Sequence, residues 1–319
     1  MSQPLTKPNK MPEKNVFSWL SQGPSRIDRL QILSCPVGPI AIKRDDLIHC
    51  VVSGNKWRKL KYNLKKFNSE GLISFGGAFS NHLHALAYAC HKQSIPLKAI
   101  VRGKSSYLDN PTLKAIKEWG ADVIFVDRPT YRKRYDARYL QGLESQYPGF
   151  QIIPEGGSNE SALEGVQELG KEIMEQFPSL KNLVLPVGSG GTMAGLIRSL
   201  PQEVQIIGIS VGKEDYLEKM IGQWLKRERN SNWVLERRFH YGGFGRCPQA
   251  LRKFMHDMHC AHSLPLDVVY NAKGFYAFLE LLLEEKIKPD ESLYLHTGGL
   301  QGNRAYQYLY PGTLKWIND

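Results

Sequence analysis

The chain has 319 residues, of which 42% are hydrophobic and 23% are charged, a composition typical of a globular protein with about two domains. Its 42 lysines and arginines outnumber 31 acidic residues, and the formal net charge of +11 at pH 7 attracts anionic partners. No apolar run reaches the roughly 18 residues of a membrane span, and the N-terminus lacks a secretory signal. The five cysteines are scattered and lack CxxC spacing, which excludes a disulfide framework. We therefore expect a cytoplasmic protein.

Short apolar runs alternate with longer amphipathic segments after residues 1–15, a Pro- and Lys-rich stretch that we expect to be a mobile tail. The runs contain much Val, Ile and Leu with little alternation, as strands buried on both faces do, and predict strands at 72–77, 97–102, 121–126, 151–153, 182–186, 204–210, 266–270 and 292–296. Helical periodicity predicts helices at 57–67, 81–92, 111–119, 160–176, 193–200, 248–260 and 275–285. This alternation predicts an α/β fold with parallel sheets and right-handed crossovers.

Two clusters of polar residues have more than one interpretation. Residues 128–138 are strongly basic, and we interpret them as a solvated loop that leads into a charged helix face, rather than as a nucleic-acid-binding patch. A third interpretation is a positive electrostatic field that attracts small anionic substrates. His256, His259, Cys260 and His262 lie close together at helical spacing. They suit either a zinc site or, as we favour, a helix end whose histidines lie near the C-terminal dipole, so we expect no metal.

Ligands of open parallel sheets bind where strand ends meet helix N-termini, which directs attention to the turns after the predicted strands. One such turn, VGSGGTMAG at residues 187–195, has amides that can surround a phosphate. No Lys follows its glycines, as a mononucleotide loop requires, and Met193 occupies the third Gly position of the dinucleotide fingerprint. A phosphate monoester is therefore the predicted ligand.

Three further turns carry candidate residues. Ser80 and Asn81 precede a helix, where they form either a plain cap or a carboxylate site. Lys56 follows a Gly-Asn pair just before another helix, and Thr297 lies between a buried strand and two glycines. Together with the phosphate loop these residues suit pyridoxal 5'-phosphate, which needs a Schiff-base lysine, a phosphate cup and a partner for its pyridine nitrogen.

The segments SGNKWRKL, FGGAFSNH, VGSGGTMAGL, VVYNAKG and LYLHTGGL resemble, in order and spacing, the 1-aminocyclopropane-1-carboxylate deaminase and D-cysteine desulfhydrase family. The resemblance runs from about residue 20 to about residue 310. It implies two open twisted parallel-sheet domains, as in the tryptophan synthase β-subunit (fold type II of pyridoxal-phosphate enzymes). It also implies a homodimer, in which each chain has a smaller domain (58–165) inserted into a larger cofactor-binding domain (1–57 and 166–319).

The same resemblance implies roles for individual residues. Lys56 would hold the cofactor, Asn81 would contact its ring hydroxyl, and Thr297 would face its pyridine nitrogen. Ser80, with the amides of Asn81 and His82, would bind the substrate carboxylate, and Tyr270 and Phe244 would line the substrate side. The phosphate would be bound by Gly188, Ser189, Gly190, Gly191 and Thr192. Lys56, Ser80 and Tyr270 are the expected catalytic residues.

Three positions depart from the family pattern. Where the deaminase branch has Gln and Glu, this chain has His82 and Asn271, and the tyrosine that both branches carry in a GYG element is Phe244 here. We therefore expect a pyridoxal-phosphate lyase or deaminase that acts on a small amino acid by D-cysteine desulfhydrase-like β-elimination, giving a 2-oxo acid and ammonia. The alternatives are cyclopropane ring opening and, outside the enzymes, a non-catalytic or nucleic-acid-binding protein that retains the fold.

Overall fold

The computed structural model describes residues 19–20, 23–33, 35–213, 215–225 and 232–317. The tail expected over residues 1–15 lies outside this part of the chain. Within it, no helix combines the length and the apolar character that crossing a membrane requires. All five cysteines are free thiols.

The described strands form two sheets. In chain order they are β1 (Ile27–Leu30), β2 (Ile40–Lys43), β3 (Gly71–Gly77), β4 (Leu97–Arg102), β5 (Asp122–Val126), β6 (Phe150–Ile153), β7 (Asn182–Val187), β8 (Gln205–Ser210), β9 (Trp233–Glu236) and β10 (Ser292–Leu295). The larger sheet has the order β1-β2-β10-β7-β8-β9, and the smaller has the order β5-β4-β3-β6. The smaller sheet uses only residues 71–153, which lie inside the predicted inserted domain. The domain boundaries themselves stay a prediction.

The strand pairings are parallel except at one edge of the larger sheet. In the smaller sheet Leu72 lies opposite Leu97 on one side and Gln151 on the other. In the larger sheet β10 is parallel to both neighbours, whereas β1 runs antiparallel to β2. The predicted parallel α/β architecture is confirmed, and β1 adds an antiparallel edge strand that the sequence patterns did not indicate.

Helices cover both sheets. They are α1 (Gly54–Lys65), α2 (Asn81–Gln93), α3 (Pro111–Glu118), α4 (Arg128–Arg132), α5 (Ala137–Gln146), α6 (Glu160–Gln176), α7 (Gly191–Ile197), α8 (Leu217–Leu225), α9 (Gln249–His262), α10 (Asn271–Leu283) and α11 (Gln301–Leu309). Side-chain caps fix several of their starts. For example, Asn159 Oδ1 accepts from the amide of Ala162 at 2.9 Å at the start of α6. Such caps place helix N-termini next to strand ends, where the predicted site residues lie.

One predicted strand is wrong, and several short elements were not predicted. Residues 266–270 form a turn instead of a strand, because Asp267 Oδ2 accepts from the amides of Val269 at 3.0 Å and Tyr270 at 2.9 Å. Leu266 and Val268 are nevertheless buried in the core, which explains the apolar pattern. The elements that were not predicted are β1, β2, β9, α4, α8 and α11, whereas α5 begins where the basic segment was expected to lead into a helix.

Candidate functional site

The turn that begins α1 packs directly against the turn that follows β10. Gly54 has φ +59°, and a Cβ there would lie 2.0 Å from the Thr297 carbonyl oxygen, so only glycine fits. The amide of Asn55 donates to that same oxygen at 3.2 Å. The turns that carry Lys56 and Thr297 are therefore brought together, as the candidate site requires.

The side chain of Lys56 lies beside this contact. Its Nζ donates to Asn55 Oδ1 at 2.8 Å, and with Ser53, Asn81 and Gly299 it lines a pocket. Burial lowers the pKa of Lys56 from 10.5 to about 8, while the charge of Asp267 acts in the opposite direction. A lysine with such a pKa has a substantial fraction of neutral, nucleophilic amine near neutral pH.

A second buried lysine, Lys59, lies one turn along α1, a residue that the sequence reasoning did not assign. Its Nζ donates to Ser158 Oγ at 2.9 Å and to Ser189 Oγ and the Gly156 carbonyl at 3.3 Å each. Burial and the charge of Lys56 lower the pKa of Lys59 well below 10.5. Lys59 follows Lys56 by three residues, a spacing that places both lysines on one face of the helix. This spacing could have indicated from the sequence that Lys59 belongs to the site.

The glycine loop between β7 and α7 lies around Lys59. A Cβ on Gly191 would lie 2.6 Å from Ser158 Oγ and 3.3 Å from Lys59 Nζ, so a side chain there would fill the space next to the ammonium. Gly190 has φ +77° and is the N-cap of α7, and Thr192 Oγ1 accepts from Asn55 Nδ2 at 3.2 Å. Lys59 is thus a basic side chain that contacts this loop directly, through Ser189.

Gly188, at the start of that loop, lies against an aromatic ring. A Cβ on Gly188 would come within 2.9 Å of Tyr270 Cε1. The Phe244 ring meets the Tyr270 ring edge-on, with centroids 5.8 Å apart and planes at 77°. The structure thus brings Tyr270 and Phe244 together beside the glycine loop, although they are far apart in the sequence.

The N-terminus of α2 carries the residues expected to bind a carboxylate. Ser80 Oγ accepts from the amide of Leu83 at 3.2 Å, so Ser80 is a helix cap. The amides of Asn81 and His82 lie in the first turn, where helix geometry provides no intrahelical acceptor. Capping is therefore observed, and the carboxylate role stays a prediction.

The side chain of Asn81 is oriented by a residue that the sequence reasoning missed. Gln301 Nε2 donates to Asn81 Oδ1, and Gln301 Oε1 accepts from Thr112 Oγ1 at 3.2 Å. Because its Oδ1 is engaged, Asn81 presents Nδ2 as a donor, beside Gly299. Asn81 can thus donate to a ligand oxygen, and its contact with the cofactor's ring hydroxyl stays a prediction.

His82 is buried and neutral. Its Nε2 lies 2.8 Å from Ser74 Oγ, and that hydroxyl donates its proton to the Ile153 carbonyl at 2.7 Å. Nε2 must therefore be the donor, which leaves Nδ1 as a buried acceptor without a partner among the described residues. Burial, with Lys56 and Lys59 nearby, lowers the pKa of His82 to about 3.

The side chain hydrogen-bonded to Thr297 is the uncharged amide of Asn271. Asn271 is fully buried, and its Oδ1 accepts from the Thr297 amide at 3.1 Å, while its Nδ2 donates to Asp267 Oδ1 and the Gly298 carbonyl at 2.7 Å each. The carboxylate of Asp267 accepts from the amides of Val269, Tyr270 and Asn271 as well. Asp267, which the sequence reasoning missed, thus fixes the turn that carries Tyr270 and Asn271.

A buried network of charges holds α1 in place. Arg58 donates to Asp45 at 2.9 Å and to Glu172 at 2.7 Å, and Lys43 donates to Glu172 and to the Ser25 carbonyl. Removing one member of such a network leaves a buried charge uncompensated, which is strongly destabilising. The helix that carries Lys56 and Lys59 is therefore fixed rigidly to β2 and α6.

The two other clusters of interest lie elsewhere. In the basic segment, Arg134 pairs with Glu155 at 2.5 Å. The other basic residues are exposed, in line with the solvated interpretation: Arg128, Arg132, Lys133 and Arg138. Residues 128–132 form the helix α4, however, and not the expected loop. The histidines at 256, 259 and 262 lie on α9. Within the described ranges, no group of three or more His, Cys, Asp or Glu side chains is arranged to hold a metal ion.

The donor set around Lys56 fits pyridoxal 5'-phosphate. Lys56 offers an amine for an aldehyde, and Lys59 with Ser158 and Ser189 offers a cation and hydroxyls for a phosphate. Neither ammonium forms an ion pair with a carboxylate among the described residues, so an anionic ligand would balance two neighbouring positive charges. Gly191 keeps the space beside Lys59 free of a side chain.

Comparisons with known proteins agree with this fit. The family described as "pyridoxal-phosphate dependent enzyme" matches residues 19–234. A putative 1-aminocyclopropane-1-carboxylate deaminase of Thermotoga maritima is 30% identical over 89% of this chain and 96% of that protein. A D-cysteine desulfhydrase of Klebsiella pneumoniae is 26% identical over 89% of this chain and 94% of that protein.

Solved structures show the same fold. The crystal structure of an ACC deaminase homologue matches with a TM-score of 0.76 at 24% identity and covers 97% of each chain. O-acetylserine dependent cystathionine beta-synthase from Helicobacter pylori matches with a TM-score of 0.66 at 16% identity, over 91% of this chain and 96% of that one.

Proposed function

The chain belongs to the family of pyridoxal-phosphate dependent enzymes, and we propose that it catalyses β-elimination from a small amino acid, giving a 2-oxo acid and ammonia. It is a pyridoxal-phosphate enzyme of fold type II. The proposal concerns the reaction, the substrate and the roles of individual residues. Its favoured substrate is a D-amino acid with a leaving group on Cβ, such as D-cysteine.

We propose that Lys56 binds the cofactor covalently and that Lys59, Ser189 and the loop from Gly188 to Thr192 hold its phosphate. The lowered pKa of Lys56 and the hydroxyls around Lys59 support these assignments. When bound, pyridoxal phosphate withdraws electrons from the substrate Cα. The remaining chemistry falls to the residues of the chain.

Lys56 is the proposed general base. Once the substrate amine has displaced it, Lys56 Nζ takes the proton from the substrate Cα, a task that suits an amine with a pKa of about 8. Ser80 and the amides of Asn81 and His82 bind the substrate carboxylate at the N-terminus of α2. Tyr270 and Phe244 close the substrate side beside Gly188.

The observation that carries the proposal is the uncharged pair of Asn271 and Thr297. Both hydrogen-bonding ends of the Asn271 amide are engaged, and no acid stands in its position beside Thr297. A neutral partner would not keep the pyridine nitrogen protonated, so a cofactor bound here would be a modest electron sink. Elimination with a good leaving group tolerates a modest sink, because negative charge at Cα is short-lived.

Cyclopropane ring opening is the second candidate, and the name given to the Thermotoga maritima relative favours it. It cannot begin with loss of a Cα proton, because that carbon carries none, so the proposed role of Lys56 would not apply. We further propose a homodimer, by analogy with the family, and a cytoplasmic location, because the five cysteines are free thiols.

A turnover screen tests the proposal. The protein reconstituted with pyridoxal phosphate is assayed for pyruvate from D-cysteine, β-chloro-D-alanine and their L-enantiomers, and for 2-oxobutanoate from 1-aminocyclopropane-1-carboxylate. We expect pyruvate from the D-amino acids and little product from the cyclopropane. Lys56→Ala should be inactive. The matched control is Lys61→Ala, which alters a lysine of the same helix that pairs with Glu168. Efficient turnover of the cyclopropane by the unmodified protein would overturn the proposal.

A further inference from the structure

Lys273, in the first turn of α10, is completely buried and takes no part in the chemistry described above. Its Nζ donates to three backbone carbonyls: those of Val211 at 2.9 Å, His240 at 2.9 Å and Gly243 at 2.8 Å. Three backbone carbonyls from separate parts of the chain thus accept from this one ammonium. The carbonyls form a cage around a cation that the chain itself supplies.

The position of Lys273 is costly for an ammonium. A helix N-terminus bears positive partial charge, which disfavours a cation there. Burial also removes the water that solvates an ammonium, and the hydrogen bonds to the three carbonyls offset part of that loss. A methionine would fill the same space without either cost. The cage therefore indicates that the ammonium organises the segments that provide its carbonyls.

Two of the three carbonyls belong to a loop that has no regular structure of its own. The loop covers residues 237–248, between β9 and α9. Tyr241, Gly242, Gly243 and Gly245 all have positive φ, at 51°, 88°, 121° and 74°. Three of these residues are glycines, which lose much conformational entropy on ordering, so the loop needs external contacts to stay in one conformation.

The loop carries Phe244, whose ring is 59% exposed and rests edge-on against Tyr270. Tyr270 lies three residues before Lys273 in the chain, and its ring lies over Gly188 of the glycine loop. The ammonium thus connects the segment just after β8, the start of α10 and the part of the loop that leads into Phe244.

We propose that Lys273 is a positioning residue whose ammonium acts as a built-in cation for the Val211–His240–Gly243 cage and thereby holds Phe244 against Tyr270 at the substrate side. The ammonium fixes the loop, and the loop determines which substrates fit beside Tyr270. The link to substrate choice rests on the proposed function, whereas the order of the loop does not.

Two substitutions separate charge from volume. Lys273→Ala leaves a space that a small cation can enter, and Lys273→Met fills the space without charge. In both holoenzymes we expect trypsin to cleave after the exposed Arg246 about tenfold faster than in the unmodified protein, because a charge-assisted hydrogen bond is lost. Ammonium or methylammonium ions should restore resistance in Lys273→Ala but not in Lys273→Met. Lys286→Ala, at an exposed lysine paired with Glu284, is the control and should behave like the unmodified protein.

The kinetic counterpart uses the amino acid that the unmodified protein turns over best. We expect KM to rise about tenfold in both variants, with kcat changed much less, and methylammonium to lower KM again only in Lys273→Ala. Cofactor absorbance should be unchanged. Since the cleavage assay needs no substrate, altered cleavage without elimination activity would reject the proposed function but support the role of Lys273.

Three results would overturn the inference. Cleavage after Arg246 at the rate of the unmodified protein would show that the loop does not depend on the ammonium. Equal rescue of both variants by ammonium ions would indicate a general salt effect. Failure of both variants to fold, even with methylammonium present, would show that Lys273 supports the whole core rather than the loop.

Discussion

Replacement of Lys59 by methionine tests the phosphate site most directly. The change removes the ammonium that contacts Ser158 and Ser189 but keeps the volume of the side chain. A hydrogen bond to a charged group contributes about 1.5–3 kcal/mol, so losing one should weaken cofactor binding roughly 10- to 150-fold. The covalent link through Lys56 remains available, so binding should be weakened and not abolished.

The assay is a titration of the cofactor-free protein with pyridoxal phosphate, followed by its visible absorbance. Lys61→Met is the matched control, because Lys61 lies on the same helix, is partly exposed and pairs with Glu168. Denaturant unfolding of the cofactor-free variants provides a second measurement. Lys59→Met should be at least as stable as the unmodified protein, because burial already lowers the pKa of Lys59 and disfavours its charge.

Two outcomes would refute this reasoning. If Lys59→Met binds the cofactor as tightly as the unmodified protein and Lys61→Met do, the phosphate lies elsewhere. If it loses stability in proportion to its loss of affinity, Lys59 supports the fold through Gly156 and Ser158 and does not bind the phosphate.

Three further predictions concern neighbouring residues. Ser80→Ala should lower the free energy of unfolding by about 1 kcal/mol, because the hydrogen bond from the Leu83 amide is lost. A loss of turnover much larger than this would establish the carboxylate role of Ser80. A loss of stability with unchanged turnover would reject that role. Borohydride should trap pyridoxal on Lys56 at a rate that rises as the pH passes through about 8, because only the neutral amine reacts and the pKa of Lys56 is about 8. A trapping rate that rises only near pH 10 would contradict this. Gly191→Ala places a Cβ 2.6 Å from Ser158 Oγ and should therefore weaken cofactor binding. Unchanged cofactor affinity on titration, in a variant with native circular dichroism, would show that the phosphate binds elsewhere.

Local sequence patterns determined most of the regular structure. The strand at 97–102 and the helix at 160–176 coincide with β4 and α6, because a buried parallel strand and an amphipathic helix each leave a clear periodicity. The predicted strand at 266–270 failed because the apolar side chains of Leu266 and Val268 imitate a buried strand, while Asp267 bends the backbone into a turn. Short edge strands such as β1 and β9, with four residues each, carry too little pattern to be identified.

The sequence also identified candidate site residues that lie within recognisable motifs. Lys56 in its Gly-Asn turn, the glycines from Gly188 to Gly191 and Thr297 all attracted attention as residues next to strand ends. The structure places these segments side by side, with Gly54 against the Thr297 carbonyl and Asn55 against Thr192. Their roles toward a ligand stay predictions that the experiments above test.

The tertiary structure alone decided which other polar residues are buried and what they contact. Lys59 meets Ser189 across 130 positions of sequence, Gln301 meets Asn81 across 220, and Lys273 meets the carbonyl of Val211 across 62. A lysine is solvated in most proteins, so no local pattern marks Lys273 as internal, and only the spacing from Lys56 indicated Lys59. Their burial depends on which distant segments close over them, and burial is the largest cause of the lowered pKa values of Lys56 and Lys59.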